Sequence, residues 1–367
     1  MVVAPTVRQV RGRLRPVYEL PDVMEAAVTV GHGGPEMIEL RTDVPLPSLE
    51  PGGALIRVTA AAVNNTDLWS REGRYGTVDD PKAVAGWQGT SLRFPLIQGI
   101  DVAGFVEAVG DDVDEAWIGC RVIIDPAVEY LGYTPSRFIG SEVDGGFAQF
   151  FVATIDQLHA VSESPLSDAQ LACLPTAYGT ALGMLNRAAC AAGERVLVTG
   201  ASGGVGLAVI QLATARGCEV VARTSATKAH LVLAEGASAV SLRGVDDLSD
   251  LDEVDVVVDV VGGDEFGLVV DRLRDEGRLV TAGAIAGPIV TLDLRRLYLR
   301  RRTLIGSTMH TRSDFAALAD LARTGSFEPL VADMLPLRRI TDAQSRFVAK
   351  DFVGKLVLDP WATTPIT

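Results

Sequence analysis

The segment VNNTDLW, residues 63–69, concentrates polar side chains directly after an apolar run. It contains two amides, a hydroxyl, a carboxylate and an indole. Together these groups can donate and accept hydrogen bonds around a reacting carbonyl group. An ordinary polar turn at the end of a strand has a similar composition. Evidence from the rest of the sequence is needed to decide whether this segment lines an active site or forms an ordinary turn.

A second segment, VLVTGASGGVG at residues 196–206, joins a strand-like run to a helix-like run through a glycine-rich turn. This context is typical of a dinucleotide-binding turn, where backbone approaches a pyrophosphate and helix N–H groups point at it. The spacing G-x-G-x-x-G falls on Ala201, Gly203 and Gly206, so alanine replaces the first glycine. We predict that a dinucleotide contacts the whole turn, which comprises Gly200, Ala201, Ser202, Gly203, Gly204, Val205 and Gly206.

The end of the next strand-like run indicates which dinucleotide binds. An NAD site usually has a carboxylate there to accept from the ribose 2′-hydroxyl. The stretch VVARTSATK, residues 220–228, contains no carboxylate. Its cations and hydroxyls suit a 2′-phosphate through charge-assisted hydrogen bonds, which predicts NADP(H). The residues concerned are Arg223, Thr224, Ser225 and Lys228. Alternatively, Arg223 and Lys228 form the solvated start of a helix.

Two different sequence patterns predict the strands and helices that hold these segments. Between residues 24 and 63, short apolar runs alternate with Gly, Pro and Asp, which predicts β-strands joined by turns. The later strand-like runs are RVLVTGA, EVVART, VDVVVDVV, GRLVTAG and TLIGSTM, with helix-like runs such as VGLAVIQLATARG and EFGLVVDRLRDEG between them. Such alternation predicts a parallel sheet covered on both faces. Residues 74–95 and 126–146 are expected to be irregular loops.

Composition excludes several classes of function. A chain of 367 residues suits two domains. A formal net charge of −14 disfavours binding to nucleic acid or to an anionic membrane surface. No apolar run approaches the roughly 20 residues needed to span a bilayer. The four cysteines form no CxxC pair, which predicts reduced thiols in a cytoplasmic protein.

Further segments occur together with these motifs in a familiar order. They are MEAAVTV, VNNTDLWSREG, FPLIQGIDVAGFVEAVG, GGFAQFFVA, LPTAYGTALGML, VLVTGASGGVG, DVVVDVVGG, GRLVTAGA, RTLIGST and GKLVL. In this order they resemble the medium-chain dehydrogenase/reductase superfamily, and within it the zinc-free, quinone oxidoreductase-like branch. The resemblance implies an α/β protein with a β-rich GroES-like catalytic domain and a doubly wound Rossmann domain. It assigns residues 24–163 and 311–367 to the first and 164–310 to the second, after an N-terminal extension at 1–23.

The resemblance also implies that no metal binds. Zinc-dependent relatives have cysteine at the position of Asn64, histidine and a carboxylate at Ile100 and Asp101, and another cysteine close to Cys173. Only Asp101 and Cys173 retain a suitable side chain, and these two cannot supply a three-ligand catalytic zinc site.

For the chemistry, the resemblance implies that Asn64 lies beside the nicotinamide and the substrate. Trp69 stands where metal-free relatives often have tyrosine, and an indole N–H can donate a hydrogen bond but is not a useful acid. Asp67 either orients its neighbours or caps a turn. The predicted catalytic set is therefore Asn64, Thr66, Asp67 and Trp69. Other possible proton donors are Tyr130, Tyr133 and water.

By the same resemblance, further residues contact NADP(H). They are Thr180, Val261, Gly283, Ala284, Ser307 and Lys355. The implied reaction transfers hydride from NADPH to a quinone or to an α,β-unsaturated carbonyl compound, so the substrate is a small apolar electrophile. A carbonyl or alcohol oxidoreductase of the same fold and a non-catalytic NADPH-binding sensor stay open. The family often dimerises through the sheet edge near TLIGST, which implies a homodimer.

Overall fold

The computed structural model describes residues 20–77, 79 and 92–363. Residues 1–19 of the N-terminal extension and most of the predicted loop at 74–95 therefore lie outside the described residues. The described residues form two compact units. The first contains those up to Pro175, Ala319–Gly325 and those from Leu330 onward, and the second contains Thr176–Leu318 and Ser326–Pro329. Among the described helices, none is long and apolar enough to cross a membrane.

The first unit is rich in β-strands up to residue 175. Its elements are β1 (Val23–Thr29), β2 (Ile38–Pro45), β3 (Gly53–Ala62), α1 (Asn65–Arg71), β4 (Leu96–Ile97), β5 (Asp101–Val109), β6 (Arg121–Ile124), β7 (Ala127–Leu131), β8 (Thr134–Phe138), β9 (Phe150–Thr154), β10 (Leu158–Ala160) and α2 (Asp168–Ala172). A π-helical turn, Leu174–Tyr178, follows α2.

The second unit alternates strands and helices. Its elements are α3 (Gly179–Arg187), β11 (Arg195–Val198), α4 (Gly204–Ala215), β12 (Glu219–Thr224), α5 (Ala229–Ala234), β13 (Ala239–Leu242), β14 (Val254–Asp259), α6 (Phe266–Asp271), β15 (Leu273–Thr281), α7 (Leu294–Tyr298) and β16 (Thr303–Gly306). The next helix, α8 (Arg312–Thr324), starts in the second unit and ends in the first. The last elements of the chain, β17 (Val331–Pro336), α9 (Ile340–Ala349) and β18 (Lys355–Asp359), belong to the first unit.

The second unit is built on a six-stranded sheet in the order β13-β12-β11-β14-β15-β16. Every strand pair in it is parallel. Numbered along the sheet this is the order 3-2-1-4-5-6 of a Rossmann fold. Val196, Leu197 and Val198 of the central strand are buried, as expected for a parallel sheet covered on both faces. The predicted α/β class with a Rossmann sheet is confirmed.

In the first unit, a seven-stranded sheet has the order β10-β6-β5-β3-β18-β17, with β9 also paired to β3. The last strand of the chain, β18, pairs antiparallel with β3, and β5 pairs antiparallel with the other edge of β3. The apolar side chains of these strands form one core with β1 and β9. This pairing brings the end of β3 and the starts of β5 and β18 to one place.

Two local predictions are wrong. EFGLVVDRLRDEG is helical only to Asp271, and β15 begins at Leu273, which pairs with Val254 of β14. The predicted loop at 126–146 contains the β7–β8 hairpin. Helical and strand periods both fit short apolar runs, so pairing with a neighbour decided these segments.

Candidate active site

Three strand ends bring Asn64, Asp101 and Lys355 together in the first unit. Asn64 follows β3, Asp101 opens β5 opposite Ala62, and Lys355 opens β18. All three side chains are buried, with exposed fractions of 7%, 0% and 4%. A buried carboxylate and a buried ammonium require each other, because an uncompensated charge in the interior is costly.

The three side chains form a closed hydrogen-bond ring. Lys355 Nζ donates to Asp101 Oδ2 at 3.0 Å and also to Asn64 Oδ1. Asn64 Nδ2 donates to Asp101 Oδ2 at 2.8 Å and to the Ala62 carbonyl at 3.2 Å. Because an ammonium only donates, the lysine determines which end of the amide faces it. Both amide hydrogens of Asn64 are thus committed to protein acceptors.

Asp67 lies beside this ring at the third position of α1. Its Oδ2 accepts from the Asn64 backbone N–H at 2.8 Å, and its Oδ1 accepts from Ile100 N–H at 3.3 Å. Burial raises the pKa of the Asp67 carboxyl to about 7, against the effect of those N–H donors. The side chain therefore caps the helix, as one of its two predicted roles requires, and its charge changes near neutral pH.

Cys173 is the fourth polar group of this region. Its side chain is fully buried, and its thiol donates to the Ala169 carbonyl at 3.1 Å. Burial raises the pKa of the Cys173 thiol to about 12, and the charges of Lys355 and Asp101 act on it with opposite signs. The group is therefore a neutral thiol, which is a poor metal ligand.

Tyr75, which the sequence reasoning missed, contacts residues of α1. The Tyr75 side chain is half-buried and hydrogen-bonds to the Thr66 side chain, and burial raises the pKa of its phenol. Its ring packs against Trp69 with ring centroids 6.0 Å apart. The turn after α1 brings it back, because Arg74 N–H donates to the Trp69 carbonyl at 2.9 Å. The available signal was a tyrosine a few residues after the polar segment VNNTDLW.

The two tyrosines considered from the sequence lie elsewhere in the first unit. The Tyr130 hydroxyl donates to Asp125 Oδ2 at 2.8 Å. Tyr133 is 86% exposed at the tip of the β7–β8 hairpin. Thr66 and Trp69 are half-buried on α1. Of the hydroxyls named, only the Thr66–Tyr75 pair lies beside the predicted VNNTDLW segment.

In the second unit, the glycine turn connects β11 to α4. Gly200 has φ +59°, a left-handed conformation that glycine adopts without strain. A Cβ at Gly206 would lie 2.3 Å from the Gly200 carbonyl oxygen and 2.7 Å from Ala201 Cα. At Gly203 the nearest atom would be 3.4 Å away. The turn thus packs tightly against its helix at Gly206 and has an open backbone at Gly203. Ala201 is buried, Ser202 precedes the N-cap residue Gly203, and Gly204 and Val205 are the first residues of α4.

Arg223, near the end of β12, was predicted to contact a 2′-phosphate, but its guanidinium binds other side chains of the protein. Its guanidinium pairs bidentately with Glu265, at 2.7 and 3.0 Å, and donates to Ser241 Oγ at 2.8 Å. It is only 5% exposed. The pairing lowers the pKa of the Glu265 carboxyl, so this carboxylate is neutralised by its partner.

Beside this ion pair is a small pocket. It is lined by Thr199, Gly200, Arg223, Arg243, Asp259, Val261, Gly262, Glu265, Phe266 and Val269. Arg243, an exposed residue just after β13, was not singled out from the sequence. Thr224 Oγ1 is buried and has no hydrogen-bond partner among the residues that the structure describes. Ser225 contacts Thr227 at 3.1 Å, and Lys228 ends the 3-10 turn before α5.

The other predicted cofactor residues follow neighbouring strands of the same sheet. Val261 follows β14, where the missed residue Asp259 accepts from the Thr199 hydroxyl at 2.6 Å and from Val261 N–H at 3.2 Å. Gly283 and Ala284 follow β15, and Ser307 follows β16. The carboxyl ends of parallel strands meet at one edge of a sheet, which is where ligands bind in such folds.

Side-chain contacts of three predicted cofactor residues, Thr180, Ser307 and Lys355, are also defined by the structure. The Thr180 hydroxyl, at the start of α3, lies 3.7 Å from Met309 Sδ. The hydroxyl of Ser307 has no hydrogen-bond partner within the described part of the chain. Lys355 belongs to the first unit, where its ammonium binds Asn64 and Asp101, so its predicted contact with cofactor phosphates stays a prediction.

Comparison with known proteins agrees with this architecture. Residues 50–163 match the family profile described as alcohol dehydrogenase GroES-like domain, and residues 204–324 match that described as zinc-binding dehydrogenase. The quinone oxidoreductase of Mus musculus is 30% identical over 354 residues, covering 92% of this chain and 98% of that protein. The chain belongs to the medium-chain dehydrogenase/reductase superfamily, in its quinone oxidoreductase-like branch. This confirms the resemblance seen in the sequence.

Two other similar members differ in the activity their names give. The chloroplastic NADPH-dependent alkenal/one oxidoreductase of Arabidopsis thaliana is 29% identical over 346 residues, covering 93% of this chain and 81% of that one. A crystal structure of a candidate alcohol dehydrogenase from Sinorhizobium meliloti 1021 is 44% identical, with a TM-score of 0.88 and coverage of 95% and 99%. The chain is therefore a member of an oxidoreductase family, and members of this family bind a nicotinamide cofactor.

The zinc that one profile description implies does not fit the residues of this family member. Lys355 Nζ lies between Asn64 Oδ1 and Asp101 Oδ2, where a metal would need donors. Cys173 is held as a neutral thiol, and Ile100 offers no donor side chain. In the described ranges, no group of three or more His, Cys, Asp and Glu side chains could hold a metal ion.

The nicotinamide cofactor of the family does fit the second unit. The close packing at Gly206 places the start of α4 directly after the turn, so that its N–H groups can meet a pyrophosphate. The open backbone at Gly203 leaves room for a phosphate to approach. The buried Thr224 hydroxyl, which has no partner among the described residues, is a polar atom that a bound ligand would satisfy.

Proposed function

We propose that this protein is an NADPH-dependent, metal-independent reductase of quinones or α,β-unsaturated carbonyl compounds. The observation that carries the proposal is the Lys355 ammonium, bound between Asn64 and Asp101 where zinc-dependent members have metal ligands. Without a Lewis acid, hydrogen-bond donors have to stabilise the charge on the substrate oxygen. The names of the mouse and Arabidopsis relatives support the same class of reaction.

In the proposed reaction, the cofactor supplies hydride from its reduced nicotinamide. The Tyr75 hydroxyl donates a hydrogen bond to the carbonyl oxygen of the substrate, and the Thr66 hydroxyl orients it. Because burial raises the pKa of Tyr75, the phenol stays protonated at neutral pH and remains a donor. Trp69 holds the Tyr75 ring in place. Asn64 does not donate a hydrogen bond to the substrate, since both its amide hydrogens are already bonded to protein acceptors. It is a positioning residue.

The reaction class is tested by following NADPH oxidation with an enone, its saturated ketone, a quinone and simple aldehydes. We expect turnover of the enone or quinone and none of the saturated ketone, before and after treatment with a metal chelator. Better turnover of simple aldehydes would favour the alternative, a carbonyl or alcohol oxidoreductase, which the Sinorhizobium meliloti relative supports. NADPH binding without turnover of any compound would favour a sensor, and a requirement for stoichiometric zinc would contradict the proposal.

Replacing Tyr75 by phenylalanine removes the proposed donor and keeps the ring. We expect kcat/KM for the carbonyl substrate to fall by about 100-fold, the usual scale for losing one hydrogen-bond donor to a developing oxyanion, with the KM for NADPH unchanged. Steady-state kinetics measures both constants. Tyr133→Phe is the matched control, because that hydroxyl is exposed on a hairpin, and it should leave both constants unchanged. Wild-type turnover by Tyr75→Phe would remove Tyr75 from the reaction.

Preference for NADPH is proposed to depend on Arg243. Arg223 is already neutralised by Glu265, whereas Arg243 is exposed at the same pocket. Arg243→Ala should therefore raise the KM for NADPH by about 10- to 100-fold, the scale of one charged hydrogen bond, and leave the KM for NADH unchanged. Arg295→Ala is the control, because Arg295 is exposed and pairs with Asp293 away from the pocket. Equal effects on both cofactors would argue against a 2′-phosphate site here.

We also propose a homodimer formed through β16, the edge strand of the Rossmann sheet. Leu304 of this strand and the nearby Ile289, Leu294 and Leu299 are exposed apolar side chains. An open strand edge with apolar neighbours is a ready surface for pairing. Leu304→Lys places like charges at the proposed interface, so we expect a monomer by light scattering, whereas Val245→Lys, an exposed site near β13, should remain a dimer. A monomeric wild type would contradict the proposal.

A cytoplasmic location is proposed as well. All four cysteines are free thiols, although Cys190 and Cys218 have their sulfur atoms only 3.6 Å apart. Unbonded thiols at this distance suit a reducing compartment.

A further inference from the structure

Two of the four cysteines have their sulfur atoms side by side in the second unit. Cys190 lies between α3 and β11, and Cys218 lies directly before β12. We propose that this pair is a reversible modification site, which a peroxide converts to a disulfide. The disulfide stabilises the second unit and leaves the glycine turn between β11 and α4 as it is. This inference goes beyond the proposed function, because it depends on no substrate.

The backbone around the two thiols holds them beside each other. Gly193 N–H donates to the Gly217 carbonyl at 2.9 Å, and Glu219 N–H donates to the Glu194 carbonyl at 2.9 Å. These two bonds join the segment after the first cysteine to the segment around the second. The sulfur atoms are 3.6 Å apart, and an S–S bond is about 2 Å long, so bonding requires an approach of about 1.5 Å.

Both thiols lie close to the surface without being open to solvent. Cys190 and Cys218 are 7% and 8% exposed, and the Cys218 thiol donates to the Ala191 carbonyl at 3.3 Å. Burial, and after it the neighbouring Cys218, raise the pKa of the Cys190 thiol to about 12. Because the thiolate is the reactive form of cysteine, the pair stays reduced until peroxide is in excess.

The chemical step balances with hydrogen peroxide or an organic hydroperoxide as the oxidant. One thiol attacks the O–O bond and becomes a sulfenic acid, and the peroxide leaves as water or as an alcohol. The second thiol attacks the sulfenic sulfur, forms the S–S bond and expels the oxygen as water. The sulfur atoms together lose two electrons, which the peroxide gains. A small dithiol reverses the reaction by thiol–disulfide exchange.

The disulfide closes a loop that contains β11, the glycine turn and α4, since its two cysteines are 28 positions apart. Closing a long loop restricts the unfolded chain and thereby stabilises the folded unit. β11 and β12 are parallel, with Arg195 beside Glu219, so both cysteines lie at the amino ends of these strands. The glycine turn follows Val198 at the carboxyl end of β11. NADPH binding should therefore be unaffected.

The test treats the whole protein with excess hydrogen peroxide, blocks the remaining thiols with iodoacetamide in denaturant and identifies the peptides by mass spectrometry. We expect one pair of peptides linked through Cys190 and Cys218, which dithiothreitol separates. Cys120 and Cys173 should be alkylated. The oxidised protein should melt at least about 3 °C higher than the reduced protein, and fluorescence titration should give the same Kd for NADPH before and after oxidation.

Two variants locate the effect. Cys218→Ala removes one partner, so peroxide should no longer raise the melting temperature. Cys120→Ala is the matched control, because that buried thiol donates to the Ala116 carbonyl in the first unit, and it should retain both the link and the shift. If Cys218→Ala does not fold, the wild type decides, since dithiothreitol should return its melting temperature to the reduced value.

Four results would overturn the inference: no linked pair of peptides, a link to a second chain, an unchanged melting temperature or weaker NADPH binding after oxidation. If the reduced protein binds no NADPH at all, the proposed function fails, and the linked peptides and the melting temperature still decide this inference.

Discussion

Gly206→Ala is expected to reduce NADPH affinity by more than about 100-fold and to destabilise the second unit by about 1–3 kcal/mol, as overpacking does. The added Cβ would lie 2.3 Å from the Gly200 carbonyl oxygen and 2.7 Å from Ala201 Cα. Both are backbone atoms of the turn, so α4 has to move away from it, and the N–H groups at its start move with it. Fluorescence titration with NADPH and chemical denaturation measure the two effects.

Gly203→Ala is the matched control within the same turn. Its Cβ would meet nothing closer than the Gly200 carbonyl oxygen at 3.4 Å, so the free energy of unfolding should change by less than about 1 kcal/mol. NADPH affinity should still fall, because the methyl group occupies the space where a pyrophosphate approaches. If Gly206→Ala retained wild-type affinity, the turn would not be the cofactor site. Equal stability losses in the two variants would contradict the packing argument.

Lys355→Met is expected to lower the free energy of unfolding of the first unit by about 3–5 kcal/mol, the usual cost of leaving a buried charge without its partner. Methionine keeps the apolar part of the side chain and removes both hydrogen bonds, to Asn64 and Asp101. Urea denaturation, followed by tryptophan fluorescence and circular dichroism, measures the change.

Two further variants separate charge from packing. Lys350→Met removes an exposed lysine that lies over the Phe347 ring, and should cost no more than about 1 kcal/mol. Lys355→Met combined with Asp101→Asn removes both charges, and should be more stable than Lys355→Met alone, since no bare carboxylate remains. A double variant as unstable as the sum of its parts would show that the two charges do not interact.

Local patterns predicted the Rossmann unit well. EVVART coincides with β12, and VLVTGASGGVG contains the end of β11, the turn and the start of α4. Runs of buried Val, Leu and Ile with helices between them leave few alternatives for a parallel sheet. The segment EFGLVVDRLRDEG was mispredicted because β15 begins within it, where pairing with β14 outweighs a helical spacing.

At the candidate site, the sequence predicted some of the residues and missed others. Residue types in VNNTDLW predicted a site in this segment. In the structure Asp67 accepts from the Asn64 N–H and Trp69 packs against Tyr75, a residue that the sequence reasoning missed. Arg223 was expected to face a phosphate, and instead it binds Glu265, which is 42 positions later in the chain. No pattern within one segment could have indicated this, because the two residues follow different strands of the sheet.

The sequence by itself determined the class of fold and the glycine-rich turn between β11 and α4, since both depend on residue types at short spacing. Only the tertiary structure decided which charges meet. Lys355 is 254 positions from Asp101 and 291 from Asn64, and it reaches them because β18 pairs beside β3. The physical reason is that a hydrogen bond or ion pair depends on distance in space, which the closing strand of the sheet determines and local composition does not.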